Sequence, residues 1–197
     1  MARPRADDYD DKREAIHRTA ARILAEEGGK APMVRIAQGC GISKGLLYHY
    51  YQNRDALIFD IVHTHLSEMD AALAEAGQGL SGAKRLRRLS ATLLAHYEDA
   101  DDLHRLQLGA LDTLPPDDIA RIRAVERSIL DRFRSAIREV EPDIDKPRLT
   151  AVSMGLMGML NWAFTWFRAD GPLTRAEFAH IAADMALSQI GAGKTPG

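Results

Sequence analysis

The sequence predicts an all-α fold of about nine helices, with an N-terminal three-helix helix-turn-helix domain followed by a larger helical domain. Three observations predict it. Apolar residues recur at three- and four-residue spacing along most of the 197-residue chain, which is the period of an amphipathic helix. No run alternates apolar and polar residues convincingly in the manner of a half-buried strand. Glycine, proline and short polar clusters interrupt the helical runs at Gly28-Gly29, Gly41, Gly77 to Gly82, Pro115-Pro116 and Asp170 to Thr174, where turns belong.

Asp8 to Glu27 reads as the first helix, with Ile16, Ala20, Ile23 and Leu24 facing inward. Before it, Met1 to about Asp7 forms a short arm carrying Arg3 and Arg5. A loose tail is expected there, the alternative being arginines that reach a DNA minor groove. Gly28-Gly29 ends the helix. The second helix begins near Pro32, since proline suits a first helical turn, and buries Met33, Ile36 and Ala37. Gly41 stops it at a turn that needs a backbone conformation glycine adopts readily. Ser43 caps the third helix, which runs to about Tyr50 and turns Leu47 inward.

Helix, glycine turn and capped helix make up the helix-turn-helix pattern, whose second helix enters the DNA major groove. An ordinary helical hairpin shares that outline. The run Tyr48-His49-Tyr50-Tyr51 separates the two readings, because it sets three phenols and an imidazole on about one helical turn. Polar-tipped rings at that density suit a surface that touches phosphates better than a core.

Asn53 caps a fourth helix, Arg54 to Ala76, lined by Leu57, Ile58, Ile61, Leu66, Met69 and Leu73. His63 and His65 stand two apart, so they point to different faces and make a poor metal pair. Ser81 to Ala100 reads as a helix with Leu86, Leu89, Leu93, Leu94 and Tyr97 on one side. The acidic run around Glu98 to Asp102 is expected as a solvated junction that favours the N-terminus of the next helix, Leu103 to Thr113. Asp117 to Val140 is a long amphipathic helix. Arg148 to Ala169 is the most apolar helix, apolar nearly all round, and it holds Gly155 and Gly158. Such a helix is buried on more than one side. Thr174 caps the last helix, Arg175 to Ile190, with Phe178, Ile181, Ala182, Met185 and Leu187 as its apolar residues. The last two helices carry more apolar surface than one small domain hides, which predicts a homodimer built through them. A two-fold dimer also suits DNA, because it matches a palindromic operator.

The formal net charge of −2 hides an asymmetry: residues 1–57 hold ten Lys and Arg against eight Asp and Glu, and the remainder sixteen against twenty. A mildly basic head on an acidic body fits a DNA-reading domain joined to something else. Cys40 is the single cysteine, so no internal disulfide framework exists, and it is expected as a small buried residue before the turn. The polar N-terminus lacks a signal-peptide core and no stretch of spanning length is free of polar residues. No membrane partner, a cytoplasmic location and no cofactor are expected. HExxH, CxxC and GxxxxGK[ST] are all absent, so an enzyme is not expected. An all-α interaction module or an enzyme without DNA binding is the alternative.

The run from Ile36 to Leu57 resembles the DNA-binding signature of the TetR family of bacterial repressors. Ile36-Ala37, Cys40-Gly41, Ile42-Ser43, Leu46-Leu47, Tyr48, Tyr50-Tyr51, Arg54-Asp55 and Leu57 carry the resemblance. It implies that Lys44, Gly45, Leu46, Tyr48 and His49 face the groove, with Ser43 capping their helix. Lys44 can donate to guanine O6 or N7, and Leu46 can meet a thymine methyl. Tyr48, Tyr50 and Arg54 are implied as phosphate clamps, and Tyr51 as core. The chain departs from the family at Ala31, where a phosphate-touching hydroxyl is usual, and Arg35 or Lys30 would substitute.

The resemblance further implies a division into a DNA-binding domain over residues 8–54 and a ligand-binding and dimerisation domain over residues 55–191. Tyr97, Leu106, Phe133, Asn161, Trp162 and Trp166 are the candidate ligand-lining residues, for each of which ordinary core packing is the alternative. A small-molecule effector is thereby a second expected partner beside double-stranded operator DNA. The stretch Asn161-Trp162, Trp166-Phe167-Arg168 and Asp170 to Thr174 is similar to TetR-type regulators of fatty-acid, steroid and phenylacetate catabolism. That similarity implies an acyl-coenzyme A thioester as effector, whose phosphates would need basic residues such as Arg85, Arg87, Arg88 or Arg105.

Overall fold

The computed structural model describes residues 4–98, 100–110, 113–168 and 170–191. Among them are nine α-helices: α1 (Pro4–Glu26), α2 (Met33–Gly39), α3 (Lys44–Tyr50), α4 (Arg54–Ala76), α5 (Gly82–His96), α6 (Asp101–Ala110), α7 (Pro116–Val140), α8 (Lys146–Trp162) and α9 (Arg175–Gly191). No strand occurs among the described residues. The all-α expectation holds, with shifts at several helix ends.

Helix ends follow identifiable capping contacts. Ser43 Oγ accepts from the Leu46 amide at 3.1 Å, Asn53 Oδ1 from the Ala56 amide at 2.7 Å, and Asp145 Oδ1 from the Arg148 amide at 2.8 Å. At α9 the cap is reciprocal: the Glu177 amide donates to Thr174 Oγ1 and the Thr174 amide donates to Glu177 Oε2. Each contact satisfies an amide that the helix itself leaves without a partner. Ser81 makes no such cap; instead the Gly82 amide donates to Glu139 Oε2 of α7 at 2.7 Å.

Four expectations are corrected. Residues 4–7, expected as part of a loose arm, are the first turns of α1, where Pro4 occupies a position that loses no intrahelical bond; Arg3 lies outside the described residues. Helix α5 ends at His96 rather than Ala100. Helix α8 ends at Trp162 and passes into a 3-10 turn, Ala163–Thr165, where Thr165 Oγ1 donates to the Trp162 carbonyl at 2.7 Å. Cys40 is half-buried instead of buried, at the C-cap of the short α2.

The described residues form two compact units, one within residues 1–66 and 100–123 and the other within residues 67–99 and 124–197. In the first, α1 packs against α2 and α6, and α2 against α3. Ile16, Ile23, Leu24, Ile36, Leu47 and Leu57 form its interior. In the second, α5 packs against α9 and α8, and α8 against α9. There α9 turns Ala179, Ala182, Ala183, Ala186 and Ile190 inward and leaves Ile181 and Met185 exposed. Alanine at three- and four-residue spacing lets the neighbouring backbone come close, so the larger side chains remain outside.

Candidate nucleic-acid interface

Gly41 has φ +67°, the left-handed region, so the turn between α2 and α3 depends on a residue without Cβ. Its amide donates to the Gln38 carbonyl at 3.1 Å and the Ile42 amide to the Ala37 carbonyl at 3.1 Å. The chain then enters α3 through Ser43 in extended conformation. Leu47 alone of α3 is buried, so it anchors the helix and leaves the rest of its surface outside.

That surface presents Lys44, Gly45, Leu46, Tyr48 and His49, all exposed, with Ser43 at its start. Tyr50 and Arg54 are half-buried, and Arg35 is exposed on α2. The structure thus brings these expected residues onto α3 and its flanks. The Lys44 ammonium lies 5.5 Å from the Tyr48 ring centroid, within the range in which a ring quadrupole attracts a cation. Arg35 Nε stands 3.6 Å from Glu27 Oε1, and Arg54 Nη2 stands 3.4 Å from Asp55 Oδ1. Ala31 is fully buried and Pro32, the N-cap of α2, makes no side-chain cap. The hydroxyl that the resemblance called for is absent there.

Beneath the exposed surface lies a polar node that no local sequence pattern announces. Tyr51, closing α3, is 6 % exposed, and its hydroxyl donates to Asp60 Oδ2 of α4 at 2.9 Å. His17 Nε2 of α1 lies 2.9 Å from the same oxygen and 2.8 Å from the Tyr51 oxygen. Arg13 donates to both Asp60 oxygens, through Nε at 2.9 Å to Oδ2 and through Nη2 to Oδ1, and to Thr64 Oγ1 at 3.3 Å. Burial by itself would push the Asp60 carboxyl up, but the hydrogen bonds from His17, Arg13 and Tyr51 reverse it and hold the group well below the usual carboxylate range. An ionised carboxylate only accepts, so His17 carries a proton on Nε2 in this arrangement. Burial, and then the Asp60 charge, push the Tyr51 phenol upward, which keeps it a donor. Burial likewise raises the Cys40 thiol, which disfavours the reactive thiolate.

The candidate ligand residues are not gathered in the same way. The Tyr97 hydroxyl donates to Asn161 Oδ1 at 3.0 Å, and burial pushes that phenol upward, with Glu126 adding to the effect. Phe133 is fully buried in the same unit, whereas Leu106, also buried, belongs to the other unit. Trp162 and Trp166 are 63 % and 51 % exposed. Of the arginines considered for phosphates, Arg85 pairs with Glu139, Arg87 with Asp184 and Arg105 with Asp102, and Arg88 is exposed. Among the described residues no group of His, Cys, Asp and Glu is placed to hold a metal ion, and no described helix is long and apolar enough to cross a membrane.

A short helix, a glycine turn and a capped second helix with an exposed surface, in an all-α chain, define a helix-turn-helix protein. Residues 16–61 match the family described as bacterial regulatory proteins, tetR family, and residues 79–190 match the tetracyclin repressor-like C-terminal domain. The chain belongs to the TetR family. It is 28% identical over 145 residues to the HTH-type transcriptional repressor KstR2 of Rhodococcus jostii (strain RHA1), covering 71% of this chain and 68% of that one. It is also 28% identical over 93 residues to the HTH-type transcriptional regulator YerO of Bacillus subtilis (strain 168), covering 47% of this chain and spanning only 32% of that protein's length. Its fold is similar to the crystal structure of AibR in complex with isovaleryl coenzyme A and operator DNA, with a TM-score of 0.75 and 25% identity over 88% of this chain and 97% of that one.

Proposed function

We propose that this protein is a dimeric repressor that binds a palindromic operator through α3 and is released by a small-molecule effector, an acyl-coenzyme A thioester. The observation that carries the reading is the exposed row Lys44, Leu46, Tyr48 and His49 on a helix anchored by Leu47 alone. In this reading Lys44 and Leu46 meet base edges, Tyr48, Tyr50 and Arg54 meet phosphates, and Arg35 supplies the contact that Ala31 cannot. Residues 8–54 carry DNA reading, and residues 55–191 carry ligand binding and dimerisation.

The dimer is supported by the outer faces of α8 and α9. Met154, Trp162, Ile181 and Met185 are all exposed. Gly155 and Gly158 are open, since a Cβ added to either would meet nothing within 4 Å. Exposed large apolar residues on two adjacent helices mark an interaction surface. The effector class is supported by AibR, whose crystal structure holds isovaleryl coenzyme A, and by the part-buried Tyr97–Asn161 hydrogen bond, a polar point beside the buried Tyr97 ring.

The test is a mobility shift with the intergenic DNA beside the gene, with and without a panel of acyl-coenzyme A thioesters. Retardation relieved by one thioester is the expected result. Retardation that no thioester relieves would discard the effector class and keep the repressor. An absence of retardation at low salt, with DNA from several candidate promoters, would sink the reading.

A further inference from the structure

We infer that Tyr9 is a positioning residue for DNA binding: stacked on Tyr50, it holds the Tyr50 hydroxyl where α3 meets a phosphate. The inference rests on the reading of α3 as the DNA-contacting helix. The Tyr9 and Tyr50 ring centroids lie 4.7 Å apart with an interplanar angle of 24°, a stacked pair within the favourable range.

Tyr50 needs such a support. It ends a seven-residue helix, and among the described residues the other rings near it belong to its chain neighbours. His49 meets it edge-on at 6.0 Å, and Tyr51 lies 6.3 Å away at 30°. Those two share its backbone and do not fix it from outside. A recess of about 460 Å³, lined by Arg13, Ala56, Phe59 and Asp60 together with Tyr9, Tyr50 and Tyr51, leaves the ring room to swing. Tyr9 supplies a contact from a different element, α1. Its own place is set one helical turn on, because residues four apart share a helix face and Arg13 is tied to Asp60. A hydroxyl that must meet a phosphate has to be held to within about 0.5 Å of its working position, which takes packing of the ring that carries it.

Tyr9 is itself 46 % exposed. Its removal therefore takes little from the core, and binding can be separated from folding. The experiment uses a labelled duplex that the wild-type protein recovers from a randomised library, and measures affinity and melting temperature for Tyr9→Ala, Tyr9→Phe, Tyr50→Phe and Tyr9→Ala/Tyr50→Phe. Tyr9→Ala should weaken binding about three- to tenfold, the range a stacked pair supports, at an unchanged melting temperature. Tyr9→Phe, which keeps the ring, should restore wild-type affinity. With the Tyr50 hydroxyl already gone, Tyr9→Ala should cause no further loss.

Wild-type affinity in Tyr9→Ala or in Tyr50→Phe would overturn the inference. So would an equal loss from Tyr9→Ala in both backgrounds, since Tyr9 would then act apart from Tyr50. Failure of Tyr9→Phe to restore binding would assign the effect to the Tyr9 hydroxyl, and a fall in melting temperature would assign it to the fold. Each of these leaves wild-type binding intact, and so leaves the DNA reading standing. Recovery of no duplex by the wild-type protein would overturn both together.

Discussion

The Tyr51 hydroxyl sits 2.9 Å from Asp60 Oδ2, so the residue that closes α3 is hydrogen-bonded to the second turn of α4. Through His17 and Arg13 the same carboxylate holds α1. One ionised group thereby joins three helices of the head.

Asp60→Asn should destabilise the protein by about 1–2 kcal/mol near neutral pH, because it removes charge-assisted hydrogen bonds from a partly buried site. The folded pKa of Asp60 is depressed. Its stabilisation is therefore present above the unfolded value of about 3.9 and is lost as pH falls from there toward the folded value. Urea unfolding from neutral to strongly acid pH should show the two proteins converging in that window. A stability difference that stayed constant with pH would contradict the ionised node.

Arg54→Ala should weaken operator binding and reduce the slope of log affinity against log salt by about one unit, as expected for one lost phosphate charge. Tyr48→Phe with Tyr50→Phe should weaken binding to all sequences while leaving that slope unchanged, since phenols are neutral. Lys44→Ala should in addition relax base preference, which a selection from randomised duplexes would register as a less defined site.

Met185→Arg places a charge on the exposed outer face of α9. Sedimentation should show a dimer for the wild-type protein and a monomer for the variant, with circular dichroism unchanged. Operator affinity should fall by orders of magnitude, because one reading head alone covers half a site. A dimeric Met185→Arg protein would place the interface elsewhere.

Gly41→Ala should cost about 1 kcal/mol, since φ +67° is unfavourable for a residue with Cβ. A Cβ there would meet nothing within 4 Å, so the loss is conformational and steric clash plays no part. Gly41→Asn should be milder than Gly41→Ala, since asparagine tolerates this region. Calorimetry on the two variants checks the order.

The parts of this protein that were legible in the sequence are those whose causes are local. Gly41, Ser43, Asn53 and Thr174 announce a turn and three helix starts, because each acts on amides within three residues of itself. The Asp60 node is illegible because its α1 partners, His17 and Arg13, lie 43 and 47 residues away, and spacing on α1 does not say which acid on α4 will meet them. The end of α8 was missed for another reason. Apolar composition continues through Phe164, Trp166 and Phe167, but Thr165 takes the Trp162 carbonyl and the helix stops. Trp162 and Trp166, expected as candidate lining, are exposed in the single chain, since hydrophobicity predicts that a residue wants cover without naming what provides it.

Helix α3 has seven residues, and a helix that short does not persist in water by itself. Its existence is conditional on Leu47 being buried and Tyr51 being tied to Asp60. Helix α3 therefore has no independent melting transition: it appears when α1 and α4 have docked and vanishes when they part. The Leu47 and Tyr51 amides, which donate to the Ser43 and Leu47 carbonyls, should exchange with solvent only as fast as the surrounding helices part, so that loss of α3 on heating or acidification is all-or-none.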